Sequence, residues 1–345
     1  KKGDRVISNG SHAEIISVPQ NLCSKIPDNV DSKNASFTVL AAIALQGIRI
    51  SKVDIGDNVV VYGLGLLGLI ASQILIANGC NVIGIEKDKG KINIAKKYGI
   101  KIINVSNNND PVSRLKNLTN YVGADKILIT ASSDSSDIIK YSARMCRKRG
   151  KITLVGVTGL NIDREEFYKK EITFQVSCSY GPGRYDPDYE LAGNDYPIGF
   201  VRWTENRNFK AILNLISSGK LDFLKLVSHT FKFNEAKDAY KTLLNSSSVA
   251  IILDYDLDKK NHLVKSTKEV LTKGLETNIK SKKINLGLIG PGNYAKKVLL
   301  PVIKSCERRY QIGLNSVVSN SGISATLVAK EYNFLNSSTN FDEIL

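Results

Sequence analysis

The chain has 345 residues, 42% of them hydrophobic, and a formal charge of +15, which predicts two or three domains with apolar content for large cores. No uninterrupted apolar run reaches the roughly 20 residues of a membrane helix, and the charged, polar start predicts no signal peptide, so a soluble protein without membrane insertion is expected. Its lysines are scattered over helices and turns rather than clustered among aromatics, which argues against a nucleic-acid partner and leaves the charge on solvated surface.

In chain order, Lys2-Gly3-Asp4-Arg5-Val6 is a turn feeding a strand. Short strands are predicted near residues 12–18 and 22–26, punctuated by Pro19 and Pro27. This stretch reads as the tail of a small β-rich domain whose front is absent. His12 has no paired ligand near it and reads as a polar residue at a strand start. An apolar helix follows over 37–50, interrupted by Gly47, and Asp54-Ile55-Gly56-Asp57 turns the chain into its organising stretch.

Val59-Val60-Val61-Tyr62 is a β-branched run that needs a buried strand, and Gly63-Leu64-Gly65-Leu66-Leu67-Gly68 follows it directly. Glycines there permit a tight turn and close approach of a phosphate. Leu66, Leu67, Ile70, Ile74 and Ala77 have helical spacing, and Asn81-Val82-Ile83-Gly84-Ile85-Glu86 is a second strand ending on a carboxylate. Strand, glycine turn, helix, strand and acid in register make the dinucleotide fingerprint, with pyrophosphate over the helix N-terminus and the acid on the adenosine ribose.

Asp88 is placed to cap a helix with Ile92 and Ala95 inward, closed by Gly99. Strands are predicted over 101–105, 126–130, 151–157 and 171–178, with helices over 112–121 and 134–146. That alternation predicts an α/β fold with a doubly wound parallel sheet. Between 179 and 208 the periodicity stops, and the chain is dense in Tyr, Arg, Asp, Gly and Pro. Because this loop leaves the C-terminal edge of a sheet strand, it reads as a substrate-lining loop. A helix over 209–217, a strand over 227–233, a helix over 234–244 and a strand over 249–254 follow, and His229 reads as structural. Residues 255–283 have linker composition, with a short helix near 267–275. Then Ile284-Asn285-Leu286-Gly287-Leu288-Ile289 and Gly290-Pro291-Gly292-Asn293-Tyr294-Ala295 repeat the strand and glycine turn. A helix over 296–308, a strand over 311–318 and a helix over 324–332 come next. Leu345 comes too early for a six-stranded sheet, so both chain ends are expected to be cut. Cys23, Cys80, Cys146, Cys178 and Cys306 are far apart, odd in number and without a CxxC. They indicate neither a disulfide framework nor a zinc knot, and a reducing cytoplasm is expected.

Residues 1 to about 256 resemble the medium-chain, alcohol-dehydrogenase-like dehydrogenases, entered partway through their GroES-like catalytic domain. The resemblance rests on Gly3-Asp4-Arg5-Val6, Ala13-Glu14 ahead of Val18-Pro19, the turn from Gly63 to Gly68, Val155-Gly156-Val157, and Asn234-Glu235-Ala236 with Ala239-Tyr240. Residues 284–345 resemble the start of a Gfo/Idh/MocA-type oxidoreductase, carried by Leu288-Ile289-Gly290-Pro291-Gly292-Asn293-Tyr294-Ala295. In this order, with Gly183-Arg184-Tyr185-Asp186-Pro187-Asp188-Tyr189 and Tyr196-Pro197, the chain is similar to two-domain oxidoreductases associated with surface-polysaccharide gene sets. The implied domains are a partial GroES-like catalytic domain (1–34 and 180–256), an NAD-binding Rossmann domain (35–179), a linker (257–283) and the first half of a second Rossmann domain (284–345).

The resemblance implies that Gly63, Gly65, Leu66 and Gly68 hold the pyrophosphate, that Glu86 holds the ribose hydroxyls, and that Lys91 contacts the ribose. A carboxylate at Glu86 repels a 2′-phosphate, which favours NAD over NADP, with Lys87 working slightly the other way. Val155, Gly156 and Val157 would offer backbone groups to the nicotinamide amide, with Ser177, Cys178 and Ser179 flanking the ring. In zinc-using members the third catalytic ligand falls at Thr38, a poor ligand where zinc wants Cys, His or carboxylate. No complete catalytic zinc site is therefore expected. The developing alkoxide then needs another partner. Tyr180, Tyr185, Tyr189 and Tyr196 are phenolic candidates, and Arg184 and Arg202 are candidate anchors for a carboxylate or sugar phosphate. Gly290, Gly292, Asn293, Tyr294 and Ala295 would meet a second dinucleotide; Ser319-Asn320 stands where an acid would choose, so NAD and NADP both stay open there.

The resulting expectation is a cytoplasmic, homo-oligomeric NAD(P)-dependent oxidoreductase. It would act on an alcohol or carbonyl of a sugar-like or nucleotide-sugar substrate in surface-polysaccharide synthesis. The alternatives are a zinc-independent quinone or enoyl reductase, against which Glu86 argues, and a redox sensor that binds NAD without turnover.

Overall fold

The computed structural model describes residues 2–13, 15–106, 110–245, 248–255, 269–270, 284–320 and 322–343. They fall into two compact units, Lys1–Asp256 and Leu257–Leu345. The first unit opens with β1 (Val6–Ser8), paired antiparallel with β2 (Cys23–Lys25). The strand expected over 12–18 does not form among the described residues of that stretch. Ile15 and Ile16 stay exposed, so alternation there buries nothing that would hold a strand. Helix α1 (Ser32–Ala35) is capped by Asp31, whose carboxylate accepts from the Lys33 and Asn34 N–H groups. Helix α2 (Thr38–Ser51) buries Ala41, Ala42, Ala44, Leu45 and Ile48 along one face.

The sheet then builds in alternation: β3 (Asn58–Tyr62), α3 (Leu66–Ala77), β4 (Asn81–Glu86), α4 (Lys89–Lys97), β5 (Lys101–Asn104), α5 (Pro111–Leu118), β6 (Ala124–Ile129), α6 (Asp137–Met145), β7 (Cys146–Leu154), α7 (Arg164–Tyr168) and β8 (Thr173–Val176). The six strands pair in parallel in the order β5-β4-β3-β6-β7-β8. This is the expected doubly wound α/β sheet. Strand order reverses between β3 and β6, the place beyond whose carboxyl ends open sheets of this kind bind ligands. Alternation decides which side each residue faces. Val59 and Val61 join the core with α2 and α3, whereas Val60 joins Ile127, Ile129 and Ile139 on the opposite face. Strand β7 starts five residues before the predicted 151: within the added stretch Arg147 pairs with Asp125 and Arg149 with Glu171.

Past the sheet come α8 (Pro187–Glu190), α9 (Glu205–Ser217), β9 (Val227–Lys232), α10 (Ala236–Asn245) and β10 (Ala250–Asp254). Strands β9 and β10 pair in parallel, and the His229 ring lies 3.2 Å from Ser248 Oγ, the structural role expected of it. Helix α9 buries Phe209, Ile212, Leu213 and Ile216 in the core shared with α2.

The second unit contains β11 (Glu269–Val270), β12 (Ile284–Ile289), α11 (Leu300–Tyr310), β13 (Ile312–Val318), α12 (Gly322–Tyr332) and β14 (Asn336–Ser338). Its sheet order is β11-β14-β13-β12, parallel except for β11. Glu269–Val270 is thus strand where a linker helix was expected: it satisfies the open backbone edge of β14. The rest of that expected helix lies outside the described residues. Leu300, Leu314, Val317, Val328 and Phe334 form this unit's core.

Candidate active site

The glycine turn between β3 and α3 is held by its own packing. Gly63 has φ +94° and donates its N–H to the Ile85 carbonyl at 2.9 Å, which fastens the turn to β4. A Cβ on Gly63 would lie 2.8 Å from the Ala131 backbone, and one on Gly68 would collide with the Gly63 carbonyl. Gly65 differs: it is the N-cap of α3, and no heavy atom lies within 4 Å of where its Cβ would be. Two glycines therefore serve the turn, and the third leaves open space at a helix N-terminus, where a pyrophosphate fits. Leu66 is the first helical residue beyond it.

Glu86, at the end of β4, reaches back to this turn. Its Oε2 accepts the Leu64 N–H at 2.9 Å, and its Oε1 accepts the Lys87 and Asp88 N–H groups at 2.8 and 3.1 Å. Backbone donors fix the carboxylate, and an ionised carboxylate still has lone pairs for two ribose hydroxyls. Asp88 caps α4 by accepting from Lys91 N at 2.9 Å, which places Lys91 in the first turn of that helix.

On the nicotinamide side, the Val155 and Gly156 N–H groups both go to the Ile129 carbonyl, and the Val157 N–H goes to Ala131. These three residues can offer a ligand carbonyl oxygens but no free N–H, which narrows the backbone role expected of them. Cys178 is exposed just past β8.

The loop over 177–204 needs the most correction. Tyr180 is only 5% exposed, packs on Phe209, and its hydroxyl accepts from Asn9 Nδ2 at 2.9 Å. Burial pushes this phenol up, against the smaller opposing effect of Arg184. Tyr189 is buried, and Tyr196 donates its hydroxyl to Asp186, which lifts that phenol to about 12. Tyr185, at φ +66° and exposed, is the loop tyrosine left open to solvent. Arg184 is not a free anchor: Nη1 lies 2.5 Å from Glu190 Oε1. Arg202 is exposed and stacks on Trp203.

A residue absent from the sequence-based list stands out beside this loop. Glu205, the first residue of α9, is fully buried beside the Glu190 carboxylate. Burial, and then the nearby Glu190 carboxylate, push it up to about 8, with Arg184 opposing. Arg184 Nε is also buried without a partner. The sequence signal for Glu205, an acid in a first helical turn, normally marks a solvated charge on the helix dipole.

Thr38 does not fit a metal. It is fully buried, and its hydroxyl donates to the Ala35 carbonyl at 2.6 Å. Among the described residues no group of three or more His, Cys, Asp and Glu side chains could hold a metal ion.

The zinc-binding dehydrogenase family profile matches residues 67–193. D-guloside 3-dehydrogenase of Escherichia coli (strain K12) is 30% identical over 248 residues, covering 69% of this chain and 66% of that protein. The first unit thus contains a domain similar to the medium-chain, alcohol-dehydrogenase-like dehydrogenases. Sorbitol dehydrogenase of Halalkalibacterium halodurans is 25% identical over 258 residues, covering 73% of this chain and 68% of that one. In three dimensions, galactitol-1-phosphate dehydrogenase from Escherichia coli superposes with a TM-score of 0.58 at 19% identity, covering 71% of this chain and 66% of that one. The 2R,3R-butanediol dehydrogenase from Bacillus subtilis gives 0.55 at 22%, covering 67% and 60%. The chain thus spans about two thirds of the length of these relatives. NADH is bound in one further relative of this fold and NADP in another. A family described by its zinc lends no support to the expectation of a zinc-free enzyme; the dehydrogenase domain itself shows only that Thr38 is not a ligand and that its described residues supply no ligand set. No helix among the described residues is long and apolar enough to cross a membrane.

Proposed function

We propose that the dehydrogenase domain binds NAD and transfers hydride between it and a CH–OH carbon of a polyol or sugar-like substrate. The observation that carries this reading is the Glu86 carboxylate, held by the Leu64 N–H at 2.9 Å beside the open space at Gly65. Together they suit a dinucleotide whose ribose keeps its 2′-hydroxyl. Bound NAD supplies the hydride acceptor. The chain's residues hold the pyrophosphate over α3, turn the ribose with Glu86 and border the nicotinamide with Val155, Gly156, Val157 and Cys178. As the carbinol C–H leaves as hydride, the hydroxyl proton must leave too. Tyr185 is the loop phenol exposed enough to take part. No step is assigned to zinc.

The finer reading is a sugar or nucleotide-sugar substrate in surface-polysaccharide synthesis, with the second unit as the start of a Gfo/Idh/MocA-type domain. Support for the latter is the turn after β12: Gly290 has φ +75°, its N–H goes to Val318, and its surroundings are open. Gly292, Asn293, Tyr294 and Ala295 follow as a second dinucleotide contact.

The test is a hydride-transfer assay run in both directions: NADH deuterated at C4 with keto forms of the sugars and nucleotide sugars, and NAD with polyols, sugars and nucleotide sugars deuterated at the carbinol carbon. Deuterium passing between nicotinamide C4 and the substrate carbon is the expected result. A stable NAD complex with no transfer to any of them would replace this reading with a sensor.

A further inference from the structure

The geometry points to Arg49, Arg202 and Trp203 as a binding site for an oxyanion of the phosphate class. None of the three belongs to the dinucleotide fingerprint. Arg49 leaves α2 half-buried, its guanidinium carbon 3.4 Å from the centroid of the Trp203 ring, and Arg202 stacks on the same indole at 3.9 Å. Two cations therefore share one aromatic side chain. Among the described residues neither forms an ion pair. The other half-buried arginines of this unit, Arg147, Arg184 and Arg207, each hold a carboxylate.

Stacking on an indole attracts a guanidinium but leaves its charge and its in-plane N–H donors unspent. Burial and then the field of Arg202 push the Arg49 guanidinium down to about 10. An anion relieves both effects, and guanidinium forks suit phosphate oxygens in paired hydrogen bonds.

The site is also built in advance. Arg49 Nε donates to Asn208 Oδ1 at 2.9 Å, and Asn208, fully buried on α9, donates through Nδ2 to the Tyr180 carbonyl at 2.9 Å. One buried amide thus fixes Arg49 and the start of the 177–204 loop together. The phosphate group has two possible sources: free phosphate, or a phosphorylated substrate.

Trp203 is the only tryptophan in the chain, so its fluorescence reports on this site without a label. The experiment titrates the full chain with inorganic phosphate at constant ionic strength, with chloride as the matched control. A saturable change in emission is expected with phosphate and not with chloride. Arg202→Ala, at an exposed position, should weaken it at least about tenfold, with Arg202→Lys intermediate. Absence of a saturable response, an equal response to chloride, or an unchanged constant in Arg202→Ala would each overturn the assignment. Parallel titrations with a polyol phosphate and its unphosphorylated polyol separate the sources. Tighter binding of the polyol phosphate than of phosphate identifies a substrate group, and equal binding identifies free phosphate. No turnover is measured, so the outcome is independent of whether hydride transfer occurs.

Discussion

Replacing Glu205 with Gln should remove most of the pH dependence of this unit's stability. The folded protein holds the Glu205 carboxyl at about 8 against an ordinary 4.5, through burial and the neighbouring Glu190 carboxylate. Between those two pH values the folded chain keeps a proton that the unfolded chain has released. Stability therefore falls as pH rises through that window and is undiminished below 4.5. At about 1.4 kcal/mol per pH unit, the window from 4.5 to about 8 is worth roughly 5 kcal/mol. Gln has the shape of the neutral acid and carries no such cost. The variant should match the wild type near pH 5 and exceed it by about 3 kcal/mol near pH 7. Urea unfolding followed by Trp203 emission over that range measures the difference, and comparison with the variant cancels every other titrating group. Parallel stability profiles for the two proteins would refute the neutral, buried state of Glu205.

Gly65→Ala should fold with wild-type thermal stability, because its Cβ meets nothing within 4 Å. Calorimetry should nonetheless find NADH bound at least about tenfold more weakly. Gly68→Ala should instead lower the melting temperature sharply, since its Cβ collides with the Gly63 carbonyl. Glu86→Ser frees the Leu64 N–H and removes the charge that repels a 2′-phosphate; the ratio of NADPH to NADH affinity should rise about tenfold, and an unchanged ratio would count against Glu86 as the selector. Thr38→Val deletes only the bond to the Ala35 carbonyl, so denaturant unfolding should show a loss of roughly 1 kcal/mol and elemental analysis no change in metal content.

The parts of this protein legible in its sequence are those set by neighbouring residues. The β-branched run at 59–61, the glycines at 63, 65 and 68 and the acid at 86 act within one strand-turn-helix-strand unit. Strand periodicity and local turn chemistry therefore carried the parallel sheet and the glycine turn between β3 and α3. The 177–204 loop obeys no such period. Residue type announced four phenols and two guanidiniums there, yet their chemistry depends on partners brought in by folding. Asn9 reaches Tyr180 across 171 residues of chain, and Asn208 reaches Arg49 across 159. Burial removed Tyr180 and Tyr189 from the list, Glu190 claimed Arg184, and packing at the start of α9 turned Glu205 into a buried acid. Sequence alone determined the glycine turn and the acid beside it. Only the tertiary structure decided which loop side chains stay free, because desolvation and pairing belong to the contacts between distant segments.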